Sequence, residues 1–186
     1  MSTQAVHPLF STPVYQRLPH ELPATRRLLV SQSLEQAAVD ALLAALQAHA
    51  EPLQVLALGD SCGAGEGREL FAAQAPLEQR LRALLRAAPV GTRLYLCGDE
   101  SFIWQCCEVA RQAGLQGEEV ELFRLGARRR LYCVHCFSLQ DIAADAEVAC
   151  ACCGVRLLVR AHFSQRLGAY MGVCVDPNNL RGEARP

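Results

Sequence analysis

The chain contains no lysine; its 18 strongly basic side chains are all arginine. That absence removes Schiff-base chemistry, a pyridoxal-phosphate lysine and the lysine of a phosphate-binding Walker loop. A charge excess is also lacking. The net charge is −1, which gives no bulk attraction toward nucleic acid or an anionic membrane surface. No apolar run approaches the roughly 20 residues that span a bilayer. The opening Met-Ser-Thr-Gln-Ala-Val-His-Pro has neither a charged segment nor an apolar one of the kind that directs export. With ten cysteines in the chain, this points to a reducing, cytoplasmic setting. The thiols are then metal ligands or core residues rather than a disulfide framework.

What is present is sharper. Cys133 and Cys136 form one C-x-x-C in Tyr-Cys-Val-His-Cys, and Cys150 and Cys153 form a second in Cys-Ala-Cys-Cys-Gly. Each pair sets two sulfurs at the tip of one tight turn, and two such knuckles complete a tetrahedral thiolate shell suited to Zn²⁺. Phe137 to Ala149 is a spacer slightly shorter than that of common zinc ribbons. Gly154 suits a knuckle, whose backbone needs a residue tolerant of φ > 0. Buried core thiols and a redox disulfide are the bland alternatives. Iron is the chemical rival, because tetrahedral thiolates accept both metals. Cys152 lies inside the second knuckle and offers another register. Only Cys150 and Cys153 keep the two-residue spacing. The five histidines are scattered, so each is read as structural.

The 186 residues allow one moderate domain and a small one, with enough length to bury a core. Residues 1–24 carry Pro8, Pro13, Pro19 and Pro23, hence an extended tail or strap rather than a helix. Apolar runs at Arg26–Ser31, Leu53–Leu58, Thr92–Cys97 and Glu119–Arg124 read as strands. Between them, Ser33–His49, Pro76–Ala87 and Ser101–Ala113 have helical spacing, the first with Leu34, Ala38, Leu42 and Leu46 on one face. The alternation predicts an α/β fold with a doubly wound parallel sheet over 1–127, followed by a zinc-ribbon domain over 128–186. Val155–Ala161 reads as a strand of the ribbon. Phe163–Asp176 is an apolar, glycine-spaced run that either covers the ribbon or is an exposed surface for a partner. In the second case Phe163, Leu167, Tyr170 and Met171 form its centre, rimmed by Arg128–Arg130, Arg160 and Arg166. Arg156 and His162 add to that basic rim, which is either merely solvated or a dock for an acidic partner.

Ligands of such sheets lie beyond the carboxyl ends of the strands. Three segments reach that edge: 31–33, the glycine-rich 59–67, and Cys97-Gly98-Asp99-Glu100. None is a dinucleotide fingerprint opening a helix after the first strand, and no flavin-binding R-x-Y-S/T motif occurs near the N-terminus. Leu94-Tyr95-Leu96-Cys97-Gly98, its helix, Gly114 and Glu119–Phe123 resemble the closing part of the NAD(P)-binding half of ferredoxin reductases. Asp99 stands where that family has a proline.

The segment His162-Phe163-Ser164-Gln165-Arg166-Leu167-Gly168-Ala169-Tyr170-Met171-Gly172-Val173 resembles the C-terminal domain of the small A subunit of dimethylamine monooxygenase. Arg130–Cys136, Thr12-Pro13-Val14-Tyr15 and the Arg-Arg-Leu-Leu-Val strand extend the likeness over most of the chain. The resemblance implies an accessory subunit of a multi-subunit, NADPH- and O₂-dependent enzyme that converts dimethylamine to methylamine and formaldehyde. It implies haem, FMN and an iron–sulfur cluster on the partner subunits, a haem oxygenase and a flavin/iron–sulfur reductase. A catalytic alternative has the α/β domain bind NADPH, or the metal site relay electrons as iron. A zinc ribbon that binds nucleic acid or another partner, unrelated to amine oxidation, is the remaining alternative.

Overall fold

The structure, a computed structural model, describes residues 12–59 and 67–178. These form two compact units, one of Tyr15–Gly126 and one holding residues 127–178 with 12–14.

The first unit is an α/β sandwich. Its strands are β1 (Arg26–Ser31), β2 (Leu53–Leu58), β3 (Arg68–Phe71), β4 (Thr92–Gly98) and β5 (Val120–Arg124), in the order β3-β2-β1-β4-β5. Every pairing in it is parallel. The helices are α1 (Ala37–Gln47), α2 (Gln74–Arg86) and α3 (Glu100–Gln112). Alternation along the strands decides which face each helix covers. Leu28, Val30, Leu56, Leu94 and Leu96 pack with Leu77, Leu81 and Leu85 of α2 and Phe102, Ile103 and Val109 of α3. Leu29, Val55, Tyr95 and Cys97 point the other way, onto Val39, Leu42, Leu43 and Leu46 of α1. Each fully buried leucine here contributes about 1.5–3 kcal/mol of transfer free energy. The sheet is therefore wound on both faces, as the α/β alternation predicts.

Some details differ from the sequence reading. α1 begins at Ala37 rather than Ser33, because the Ser33 hydroxyl accepts the Glu35 N–H and holds that stretch in a turn. Val39 and Leu43 join Leu42 and Leu46 on its buried face, and Ala38 does not. β3 was not expected; its four residues, Arg-Glu-Leu-Phe, carry too little apolar pattern to announce an edge strand. The glycine-rich loop lies largely outside the described residues, at 60–66.

The proline-rich segment is a strap from Tyr15 onward. The Gln16 N–H donates to Leu122 O at 2.7 Å on the free edge of β5. Farther along, the His20 N–H and its Nδ1 meet Glu121 Oε2 at 2.9 and 3.1 Å, and Arg27 donates to Leu22 O at 3.1 Å. Arg27, Tyr95 and Glu121 share the α1 face through the sheet register, and Arg27 donates to the Tyr95 hydroxyl. The strap thus gives hydrogen-bond partners to two buried charged side chains, Arg27 and Glu121.

The second unit is a separate five-stranded sheet of β6 (Arg129–Cys133), β7 (Leu139–Ile142), β8 (Glu147–Ala149), β9 (Arg156–Ser164) and β10 (Ala169–Cys174). Its order is β7-β6-β10-β9-β8. Two antiparallel hairpins, β6–β7 and β8–β9, each carry a cysteine knuckle at the tip. β10 lies between them, parallel to β6 and antiparallel to β9.

The apolar run near the C-terminus is thereby the middle of this sheet. Phe163 and Tyr170 are 2% and 7% exposed and meet edge to face at 5.0 Å. The expected docking surface centred on them is corrected: both rings are buried within the unit, as are Leu131, Leu157 and Ala169. Leu167 and Met171 are half-buried.

Candidate metal centre

The two knuckles have the same local geometry. In the first, the Phe137 N–H donates to Cys133 O at 2.8 Å; in the second, the Gly154 N–H donates to Cys150 O at 2.9 Å. Each hairpin closes above its knuckle, with Cys133 N–H on Ser138 O and Cys150 N–H on Val155 O, both at 2.9 Å. The residue after each second cysteine is left-handed, Gly154 at φ 73° and Phe137 at φ 62°. Glycine adopts this at no cost; phenylalanine does so at about 1–2 kcal/mol, with its ring 70% exposed and resting against Tyr132 at 6.3 Å.

The sulfurs of Cys133, Cys136, Cys150 and Cys153 all lie within 4.8 Å of one another. Cys133 Sγ is 3.9 Å from Cys153 Sγ, and Cys136 Sγ is 3.6 Å from Cys150 Sγ. Sulfurs placed tetrahedrally about 2.3 Å from a central ion would be about 3.8 Å apart. The four residues can therefore hold one metal ion. Cys152 is exposed and outside the group.

Their electrostatics show the same crowding. The Ser138 hydroxyl, then backbone N–H groups, hold the Cys136 thiol down to about 6. Burial opposes ionisation of Cys150, yet Ser138 and the N–H groups of Cys153 and Cys152 prevail and lower it. Burial raises Cys133. At Cys153 the Val155 N–H opposes the rise, but desolvation and the sulfurs of Cys136, Cys150 and Cys133 push it up to about 12. Four thiolates at this spacing repel one another, and a divalent cation resolves the conflict by accepting all of them.

Two residues at this centre were missed in the sequence. Ser138 Oγ stands 3.1 Å from Cys136 Sγ and 3.5 Å from Cys150 Sγ. Gln140 donates to Ala149 O at 3.0 Å and accepts the Ala151 N–H at 2.6 Å. Neither has a sequence signal for the contact it makes across the hairpins, Ser138 with Cys150 and Gln140 with Ala149 and Ala151.

At the carboxyl ends of β1 and β4, where the strand order reverses, a cleft of about 340 Å³ is lined by residues such as Gln32, Ser33, Cys97, Gly98 and Asp99. Asp99 accepts the Phe102 N–H at 2.9 Å and so caps α3 with a carboxylate. Gln32 and Asp99 close the floor against each other. A side chain at Gly98 would sit 2.8 Å from the Gln32 Cβ and from the Phe102 ring, so only glycine permits this approach.

A family model described as "Dimethylamine monooxygenase subunit DmmA-like, N-terminal domain" matches residues 7–120, and its C-terminal counterpart matches 130–173. The chain belongs to the DmmA-like family. A curated relative from Ectopseudomonas mendocina (strain ymp), the "Heme-dependent oxidative N-demethylase delta subunit", is 40% identical over 177 residues, covering 95% of this chain and 94% of that protein.

Cys97, Cys106 and Cys107 lie in the first unit, their thiols raised by burial, Cys97 to about 11 and Cys107 to about 12. Cys174 ends β10, and Cys62 lies outside the described residues. Several rim arginines serve the DmmA-like second sheet itself. Arg128 pairs with Asp141 and Arg156 with Glu147, while Arg129 donates to Ala143 O and Asp145 O and lies over the Tyr170 ring. Among the described residues no helix is long and apolar enough to cross a membrane.

Proposed function

We propose that this chain is an accessory, non-catalytic subunit of a haem-dependent oxidative N-demethylase, with a structural zinc ion at Cys133, Cys136, Cys150 and Cys153. The observation that carries this reading is the 40% identity, spread over nearly the full length of both chains, to a protein named as a delta subunit of such an enzyme. Dimethylamine is the proposed substrate of the assembly, with methylamine and formaldehyde as products, NADPH as reductant and the cytoplasm as the location. Haem, FMN and an iron–sulfur cluster belong to partner subunits, an oxygenase and a reductase. The domain division is proposed at residues 127 and 128. The bound zinc supplies no redox chemistry; it fixes two hairpin tips whose strands β7 and β8 are not paired with each other. Capping of α3 by Asp99 supports a scaffold rather than a nucleotide-binding role for the first unit.

The same four sulfurs also accept iron, a second reading in which the centre relays electrons. Metal analysis with an absorption spectrum separates the two: zinc gives a colourless protein, iron a visible thiolate band. The subunit reading is tested by co-expression with the candidate partners. The complex should oxidise dimethylamine with NADPH, this chain alone should not, and a complex assembled without it should lose activity or stability. An unchanged complex in its absence overturns the proposal.

A further inference from the structure

We propose that Ser138 and Gln140 are the positioning residues of the four-cysteine centre, a clasp that sets the second knuckle against the first. This rests on the metal-site reading above. β7 and β8 lie at opposite edges of their sheet, so no ladder of backbone bonds joins the two knuckle-bearing hairpins at these strands. Side chains at the start of β7 span the gap instead. Gln140 grips the backbone on both sides of Cys150, at Ala149 O (3.0 Å) and Ala151 N (2.6 Å). Ser138 Oγ touches the sulfur of Cys150 itself at 3.5 Å while lying 3.1 Å from that of Cys136. One sulfur from each knuckle is thus tied through a single hydroxyl.

The two residues act differently. A serine hydroxyl carries one proton. Once both sulfurs are metal-bound thiolates, each can only accept, and the shorter contact directs that proton to Cys136. Ser138 therefore changes the charge on a ligand sulfur. Gln140 touches only backbone and changes geometry. Outer-sphere partners of this kind are worth roughly 10- to 100-fold in metal affinity.

The test uses the full chain, Co²⁺ as probe and a competing chelator. Wild type should give the spectrum of tetrahedral thiolate cobalt. Ser138→Ala should weaken binding roughly 10-fold or more and shift the sulfur-to-cobalt charge-transfer band. Ser138→Thr, which restores a hydroxyl, should recover both. Gln140→Glu keeps the acceptor for Ala151 but presents a carboxylate to Ala149 O; it should weaken binding with the band unmoved. If Ser138→Ala does not fold, the threonine and glutamate variants carry the test. Wild-type affinity and band in both Ser138→Ala and Gln140→Glu overturn the clasp, and failure of threonine to rescue overturns the role of the hydroxyl. A wild-type chain that takes up no cobalt is a different result: the metal reading itself fails, and the clasp with it.

Discussion

Gln32 and Asp99 hold each other across the point where the strand order reverses. The Asp99 N–H donates to Gln32 Oε1 at 2.7 Å, and Gln32 Nε2 donates to Asp99 Oδ2 at 3.0 Å. The second Asp99 oxygen caps α3. A doubly wound sheet places the phosphates of a dinucleotide at such an edge, on free helix N–H groups. Here the Asp99 carboxylate already accepts one such N–H, that of Phe102 in α3.

The first prediction follows from that pair. Calorimetry of the isolated chain should show no NADPH binding in the micromolar range. Asp99→Ala should destabilise the first unit by about 1 kcal/mol or more, through the lost cap, without creating NADPH affinity. Micromolar binding to the wild-type chain would mean that the cleft accepts the nucleotide despite Asp99.

Cys136→Ser should abolish tight metal binding and unfold the second unit, residues 127–178, while leaving the α/β sheet folded. A structural thiolate site contributes on the order of 10 kcal/mol at neutral pH, more than so small a sheet holds in reserve. Strong chelation should do the same. Hydrogen exchange resolved by peptide is the measurement, and uniform protection in the variant would count against a structural ion.

Tyr170→Asp should melt the second unit rather than expose a binding defect on a folded surface. The residue is 7% exposed, and it sits between Phe163 and the Arg129 guanidinium. A carboxylate there loses the ring contact and is buried, a cost of about 3 kcal/mol or more. Gly172→Val should act in the same direction, since even a Cβ would approach Leu157 and Leu131 at 3.0–3.1 Å. A Tyr170→Asp protein with wild-type thermal stability and metal content would contradict the placement of β10.

Stability should fall on the alkaline side above pH 9. Buried Cys97 and half-buried Cys107 keep their protons to about 11 and about 12, and Cys106 is raised well above the ordinary value of 9.0. In the unfolded chain these thiols ionise near 9, so above that pH the unfolded state binds fewer protons than the native one. The native state therefore loses about 1.4 kcal/mol per pH unit for each such thiol until its folded pKa is reached. With no lysine to titrate over the same range, the slope should be legible in urea midpoints at pH 8, 9 and 10. Cys107→Ala should flatten it. Ready alkylation of Cys97, Cys106 or Cys107 in the native protein at pH 8.5 would refute their protection.

The sequence by itself determined the elements whose signal is local. Apolar runs set β1 and β2 to the residue because a buried strand needs a continuous apolar stretch, and each C-x-x-C knuckle is encoded within six residues by spacing and a left-handed successor. The four candidate ligands were legible for the same reason. Only the tertiary structure decided what depends on distant partners. β3 exists as an edge because β2 offers it a ladder, not because four weakly apolar residues demand it. The run 169–174 reads alike as a surface or a strand until β6 and β9 leave a gap for it, and closing that gap turns an apparent apolar face into core. Ser138, Gln140 and the Gln32–Asp99 pair are ordinary residues in the linear chain. They acquire roles only when folding sets side chains 12, 11 and 67 positions apart at hydrogen-bond distance, a juxtaposition that chain topology creates and no local pattern records.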